Sequence, residues 1–173
     1  MRKIVSMASV LALLLAVAAR GGEGKGVKPG PEHEKFKEVV GAWDAKVEMG
    51  GKEFKANANF SVGLGGLWHF QAFTADFGGK FEGKGASTYD PASKKYINIW
   101  IDSMSTTPMI AEGNYDKEGR LVMKGKHHGM EVTMITEMKD KNTMIFTMNG
   151  PGPDGKEGEF FKITYMRKKD TRE

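Results

Sequence analysis

Asp102-Ser103-Met104-Ser105-Thr106-Thr107 is the densest cluster of chemistry-bearing side chains in the chain. A carboxylate followed by four hydroxyls suits two jobs. It can orient a ligand at a cavity mouth or form the polar centre of an enzyme, and loops at barrel mouths carry such sites. The same residues also satisfy local backbone in turns, which is the structural alternative. His127-His128 invites a metal reading, but neighbours on a strand point to opposite faces, and Gly129 follows, so the pair reads as turn residues with no metal site. His69, beside Trp68, could line an interior as a base or as an axial ligand to haem iron. The alternative is a hydrogen-bonded structural histidine. Ser103, His69 and Asp102 match a hydrolytic triad by residue type alone, and their spacing does not support one. No catalytic residue is therefore assigned.

These residues need elements to position them. Along Tyr96–Ser103, one face carries Tyr96, Asn98, Trp100 and Asp102, and the other Ile97, Ile99, Ile101 and Ser103. A half-solvated strand needs one apolar face only, so this strand is expected to be covered on both sides. The sequence alone does not say which face points inward.

The chain has 173 residues and no cysteine, which excludes disulfides, thiol catalysis and thiolate metal sites. Arg2-Lys3, an apolar run over 4–17 and Ala16-Val17-Ala18 have the form of a secretory signal peptide. The run is shorter than the roughly 20 residues of a spanning helix. Residues 1–19 are thus expected to be a leader cleaved after Ala18 or Ala19, 20–30 a flexible Gly- and Lys-rich lead-in, and 31–169 one domain in the periplasm or outside the cell. The formal charge of +4 includes Arg2 and Lys3, and the other charges are interspersed. That describes a solubilising surface, with no nucleic-acid partner and no stable membrane insertion after cleavage.

Pro31 opens a short helix over Glu32–Val40, with Glu32 and Glu34 in its first turn and Gly41 ending it. From Ala42 onward the period is 2. About ten strands follow, joined by short Gly-, Asp- or Pro-containing turns. Tyr89-Asp90 and Tyr115-Asp116 use one turn solution twice. A meander of this length escapes exposed edges by closing, so the fold class is all-β, an antiparallel up-and-down barrel, with a two-sheet sandwich as the alternative. The three Trp, ten Phe and twelve Met of the chain could fill such a barrel or line a cavity for a guest.

Gly41-Ala42-Trp43, opening the first strand after a short helix, resembles the G-x-W signature of the calycins, the lipocalin-like barrels. A wider resemblance rests on GPEHEKFKEVVGAWDAKV from Gly30, GLGGLW over Gly63–Trp68, FEGKG with YDP over 81–91, and WIDSM over Trp100–Met104. TEMKD over Thr136–Asp140, GPDGKE over Gly152–Glu157 and ITY over Ile163–Tyr165 complete it. These are similar to a bacterial, mostly secreted family known as domain of unknown function 1579. The resemblance implies a barrel with Trp43 across its closed end, and it brings no activity, cofactor or catalytic residue. The functional expectation is an exported barrel that binds a small, largely apolar molecule in its interior, without catalysis. Trp68, Phe70, Asn98 and Trp100 would line the site, with Asp102 and Ser103 at its mouth. An enzyme (hydrolase or isomerase) at the Asp102-Ser103 rim and a structural or partner-binding envelope protein are the alternatives.

Overall fold

The computed structural model describes residues 26–152 and 155–169. The expected leader, and most of the lead-in, lie outside the described residues. Helix α1 spans Pro31–Glu34 and continues as a 3-10 helix over Lys35–Val39. Ten strands follow: β1 (Gly41–Met49), β2 (Lys52–Gly63), β3 (Trp68–Asp76), β4 (Lys80–Asp90) and β5 (Lys95–Asp102). The second half comprises β6 (Met109–Tyr115), β7 (Leu121–His127), β8 (Met130–Asp140), β9 (Thr143–Pro151) and β10 (Glu157–Arg167). Each strand pairs antiparallel with the next, and β1 also pairs with β10. The sheet closes on itself, as an up-and-down barrel. The expected helix differs in kind: its second half is wound as a 3-10 helix, whose tighter turn suits a short connector into a strand.

Local chemistry explains the closure. In β1, Trp43, Ala45 and Val47 are buried while Asp44, Lys46 and Glu48 face outward, the alternation a barrel wall requires. Gly50 and Gly51 both have positive φ (57° and 73°), the backbone a two-residue hairpin needs between Met49 and Lys52. Asp90 accepts from the amides of Ala92 and Ser93, and Asp116 from those of Glu118 and Arg120. The two Tyr-Asp turns are indeed built alike.

The core has two halves. One gathers Trp43, Val47, Phe60, Phe73, Met144 and Tyr165; the other gathers Phe36, Tyr96, Met123, Val132, Met134 and Met148. Small residues on β1 and β2 (Ala45, Ala56, Ala58) leave room for aromatics reaching across. Tyr165 of β10 meets Phe60 at 5.8 Å and Phe73 at 6.4 Å between ring centroids. The helical segment closes one end. Phe36 is buried under it, Tyr96 donates its hydroxyl to the Glu32 carbonyl at 3.0 Å, and Trp43 donates Nε1 to the Val39 carbonyl at 2.9 Å.

Tyr96 and Tyr165 are buried, and their hydroxyls bond protein groups, Tyr165 accepting from Gln71 Nε2 at 3.3 Å. They pack inside the wall because their positions share parity with the core. One expectation needs correction. Strand β5 is not covered on both sides. Its Ile97, Ile99 and Ile101 face turns away from the barrel, and Ile101 is 52 % exposed.

Candidate functional site at the open end of the barrel

The end opposite the helix is formed by the tips of β5 and β7, the start of β6 and the loop 103–108. A recess of ≈ 970 Å³ opens there, bounded by Trp100, Asp102, Ser105, Thr107, Met109 and His127, and it continues over the rim to outer-face residues including Ile110, Glu112 and Lys124. Register decides which side chains look in. Phe73 pairs with Gly83 and Gly83 with Asp102, while Gln71 pairs with Gly85 and Gly85 with Trp100. The Tyr96, Asn98, Trp100 and Asp102 face of β5 therefore points into the barrel.

Trp100 is the best-defined group at this end. Its indole lies over Gly83, where an added Cβ would fall 2.1 Å from the ring, and it meets Phe73 edge-on at 6.3 Å. Asp102 fixes the indole's direction: Oδ2 accepts from Trp100 Nε1 at 2.9 Å, and Oδ1 from the Met104 amide at 2.8 Å. One carboxylate thus ties the aromatic wall to the loop. Lys95 pairs with Glu112, and Lys126 with Glu131 at 3.3 Å. Lys124 has no such partner among the described residues. His127 and His128 lie edge to face at 4.2 Å, and burial, then its neighbour His128, pushes His127 below the usual imidazole value. Among the described residues, no group of three or more metal-binding side chains converges.

The other residues singled out from the sequence separate. Asn98 points inward but is occupied, donating Nδ2 to Ser87 Oγ at 2.9 Å. Ser103 is exposed and pins the loop to β4, its Oγ accepting from the Glu82 amide and its own amide donating to the Glu82 carbonyl. Ser105 likewise bonds the Thr107 backbone in both directions. Most of this polar cluster is turn chemistry. Trp68 and Phe70 do not line the interior. They pair with Gly63 and Ser61, on the outer parity of β2 and β3, and Phe70 lies against Gly63. His69, Gln71 and Phe73 take the inner positions instead. Aromatics occur on both faces of β3, so alternation alone could not choose between them.

His69 belongs to the closed end. Its ring is sandwiched between Phe36 and Phe60, at 5.4 Å from each. Burial pushes its pKa down to about 4, and its Nε2 has no hydrogen-bond partner among the described residues. His69 pairs with Ser87 and Asp102 with Gly83, four residues apart along β4. At about 3.3 Å per residue that is roughly 13 Å, so the triad does not assemble. Met109 and Lys124 went unnoticed in the sequence, and His127 was read there only as a turn residue. The inward series Leu121, Met123, Gly125, His127 against outward Val122, Lys124, Lys126 was the available signal for Lys124 and His127.

A closed ten-stranded meander, plugged by an N-terminal helix at one end and recessed at the other, defines a lipocalin-like barrel. The chain belongs to the family of proteins of unknown function DUF1579, whose model matches residues 28–167. No curated protein matches it. Among solved structures, it is similar to the S-type phycobiliprotein lyase CPES from Guillardia theta, with a TM-score of 0.59 and 11% identity, covering 81% of this chain and 94% of that one. That likeness concerns the fold.

Proposed function

We propose that this protein is an exported, non-catalytic barrel that binds a small, largely apolar molecule at its open end. The observation that carries this reading is the recess against Trp100, the barrel-mouth part of a ≈ 970 Å³ concavity that continues over the outer wall past Ile110, Glu112 and Lys124. Such a recess suits a single small ligand, because ligand sites pair an apolar wall with a few placed polar groups. Trp100 and Met109 supply the wall; Asp102 and His127 supply the polar rim. The closed half of the barrel is occupied by its own aromatics, so the guest sits at the mouth. A solved structure of similar fold is an S-type phycobiliprotein lyase, and a barrel of this kind has room at its mouth for a small molecule. The enzymatic alternative loses support, because Asp102, Ser103 and His69 point to different places.

Titration with an apolar fluorophore such as N-phenyl-1-naphthylamine tests the site. Saturable binding that quenches tryptophan emission is expected, weakened by Trp100→Ala and unchanged by Trp68→Phe on the outer wall. Loss of binding in neither variant, or no saturable binding at all, would contradict the reading. The export half is tested separately. Intact mass of the native protein should correspond to cleavage after Ala18 or Ala19, leaving the lead-in and the domain 31–169. A cytoplasmic species that keeps Met1 would refute it.

A further inference from the structure

The outer wall of the barrel is not uniform. Across β3 to β6, one row of paired outward residues reads Phe70, Ala86, Ile99, Ile110. Ile97 flanks this row on one side and Ile101 on the other. On β1 and β2, by contrast, outward positions hold Asp44, Lys46 and Glu48 opposite Asn57, Lys55 and Glu53. Ile101 and Ile110 are 52% and 58% exposed, and Met104 on the adjoining loop is 75% exposed. Single exposed apolar side chains are ordinary, but a contiguous sector marks a contact surface.

Charge narrows the kind of contact. The acids bordering the sector are neutralised: Glu82 by Lys80, Glu112 by Lys95, Glu131 by Lys126. Lys84, which pairs across the sheet with Ile101, and Lys124, which pairs with Glu112, carry no ion pair among the described residues. An apolar sector edged by lysines that form no close ion pair among the described residues complements a surface that is anionic outside and apolar beneath. We propose that the outer face of β3–β6, through Ile101, Met104 and Ile110 with Lys84 and Lys124, docks the protein on an anionic lipid surface. The contact is peripheral. A spanning barrel needs an apolar band around its whole circumference, and the charges on β1 and β2 forbid one. Shallow insertion of a few apolar tips beside basic residues needs only one such sector.

Sedimentation with vesicles tests this directly, using the chain from Arg20 onward, which retains every described residue. The protein should pellet with phosphatidylcholine vesicles doped with phosphatidylglycerol, much less with phosphatidylcholine alone, and less again at high salt. Lys84→Gln should weaken partitioning about fivefold, as loss of one lysine at an anionic surface does. Ile101→Ser with Met104→Ser should weaken it about tenfold or more. Neither Lys84 nor Ile101 borders the recess, so fluorophore binding by Lys84→Gln should be unchanged and report an intact fold. Trp100→Ala should still pellet: the recess shares Ile110 and Lys124 with this surface, but the indole of Trp100 faces into the barrel. Failure to pellet with anionic vesicles would overturn the proposal. So would wild-type partitioning of the variants, or a dimer in light scattering that Ile101→Ser dissociates, which would give the sector to a second copy.

Discussion

The guanidinium of Arg167 lies over the indole of Trp43, with Cζ 4.1 Å from the ring centroid. The last residue of the last strand thus covers the aromatic that opens the first. Arg167 also donates to the carbonyls of Val40, Glu38 and Lys141. It ties the helix, the β1–β10 seam and the β8–β9 turn together over a side chain that is 0% exposed.

Trp43→Ala should therefore cost roughly 3–5 kcal/mol, as large-to-small changes in a packed core do. Arg167→Met should cost less but still measurably, since three carbonyls lose a charged donor. Urea denaturation midpoints at constant m measure both. A neutral Trp43→Ala would mean that this end is not the barrel's structural closure.

His69 gives the fold a pH dependence with a definite sign. Its folded pKa of about 4 lies below the ordinary 6.5 because burial between two phenyl rings disfavours the cation. The unfolded chain therefore binds a proton in this window that the folded chain does not. The stability contribution is complete above pH 6.5 and is lost as pH falls toward about 4, by roughly 3 kcal/mol at most. His69→Phe should remove that component. Unfolding free energies of both proteins near pH 7 and near pH 4.5 check it: the wild type should lose more on acidification than the variant.

Gly83 and Trp100 form a matched pair. The indole occupies the space where a Cβ at position 83 would stand, 2.1 Å from it. Gly83→Ala should displace the ring toward the recess, costing about 1–3 kcal/mol as overpacking does. It should also lower fluorophore affinity while near-UV circular dichroism reports the moved tryptophan. An unchanged spectrum would show that the contact is not maintained.

Asp102 receives two donors, Trp100 Nε1 and the Met104 amide. Asp102→Ala should release both the indole and the loop, destabilising the protein by about 1–3 kcal/mol and weakening fluorophore binding. Asp102→Asn keeps one acceptor oxygen for two donors and should fall between. Equal behaviour of Ala and Asn would mean that the carboxylate does not position Trp100.

The ten-stranded barrel was readable because alternation and turn chemistry agree over the whole chain, from Trp43/Ala45/Val47 to Asp116 and its turn. The inner face of β5 was not, since both of its faces are apolar; only pairing through Gly83 and Gly85 identifies the Trp100 side. Strand β3 misled for a related reason. Phe70 and Phe73 are equally good core candidates by type, and register sends one out and the other in. The Asp102–Thr107 cluster looked like chemistry because turn residues and ligand-binding residues are the same types. What distinguishes them is whether their hydrogen bonds are already used, which requires coordinates. The apolar outer face of Ile97, Ile99 and Ile101 was visible as a pattern, and its exposure was not.

Native mass spectrometry of the protein purified from its own host, compared with Trp100→Ala prepared identically, tests the binding claim most directly. A single small adduct on the wild type, released by denaturation and absent or diminished on Trp100→Ala, is the predicted result. An unliganded wild type that also fails to take up an apolar fluorophore, or an adduct held equally by Trp100→Ala, would contradict it.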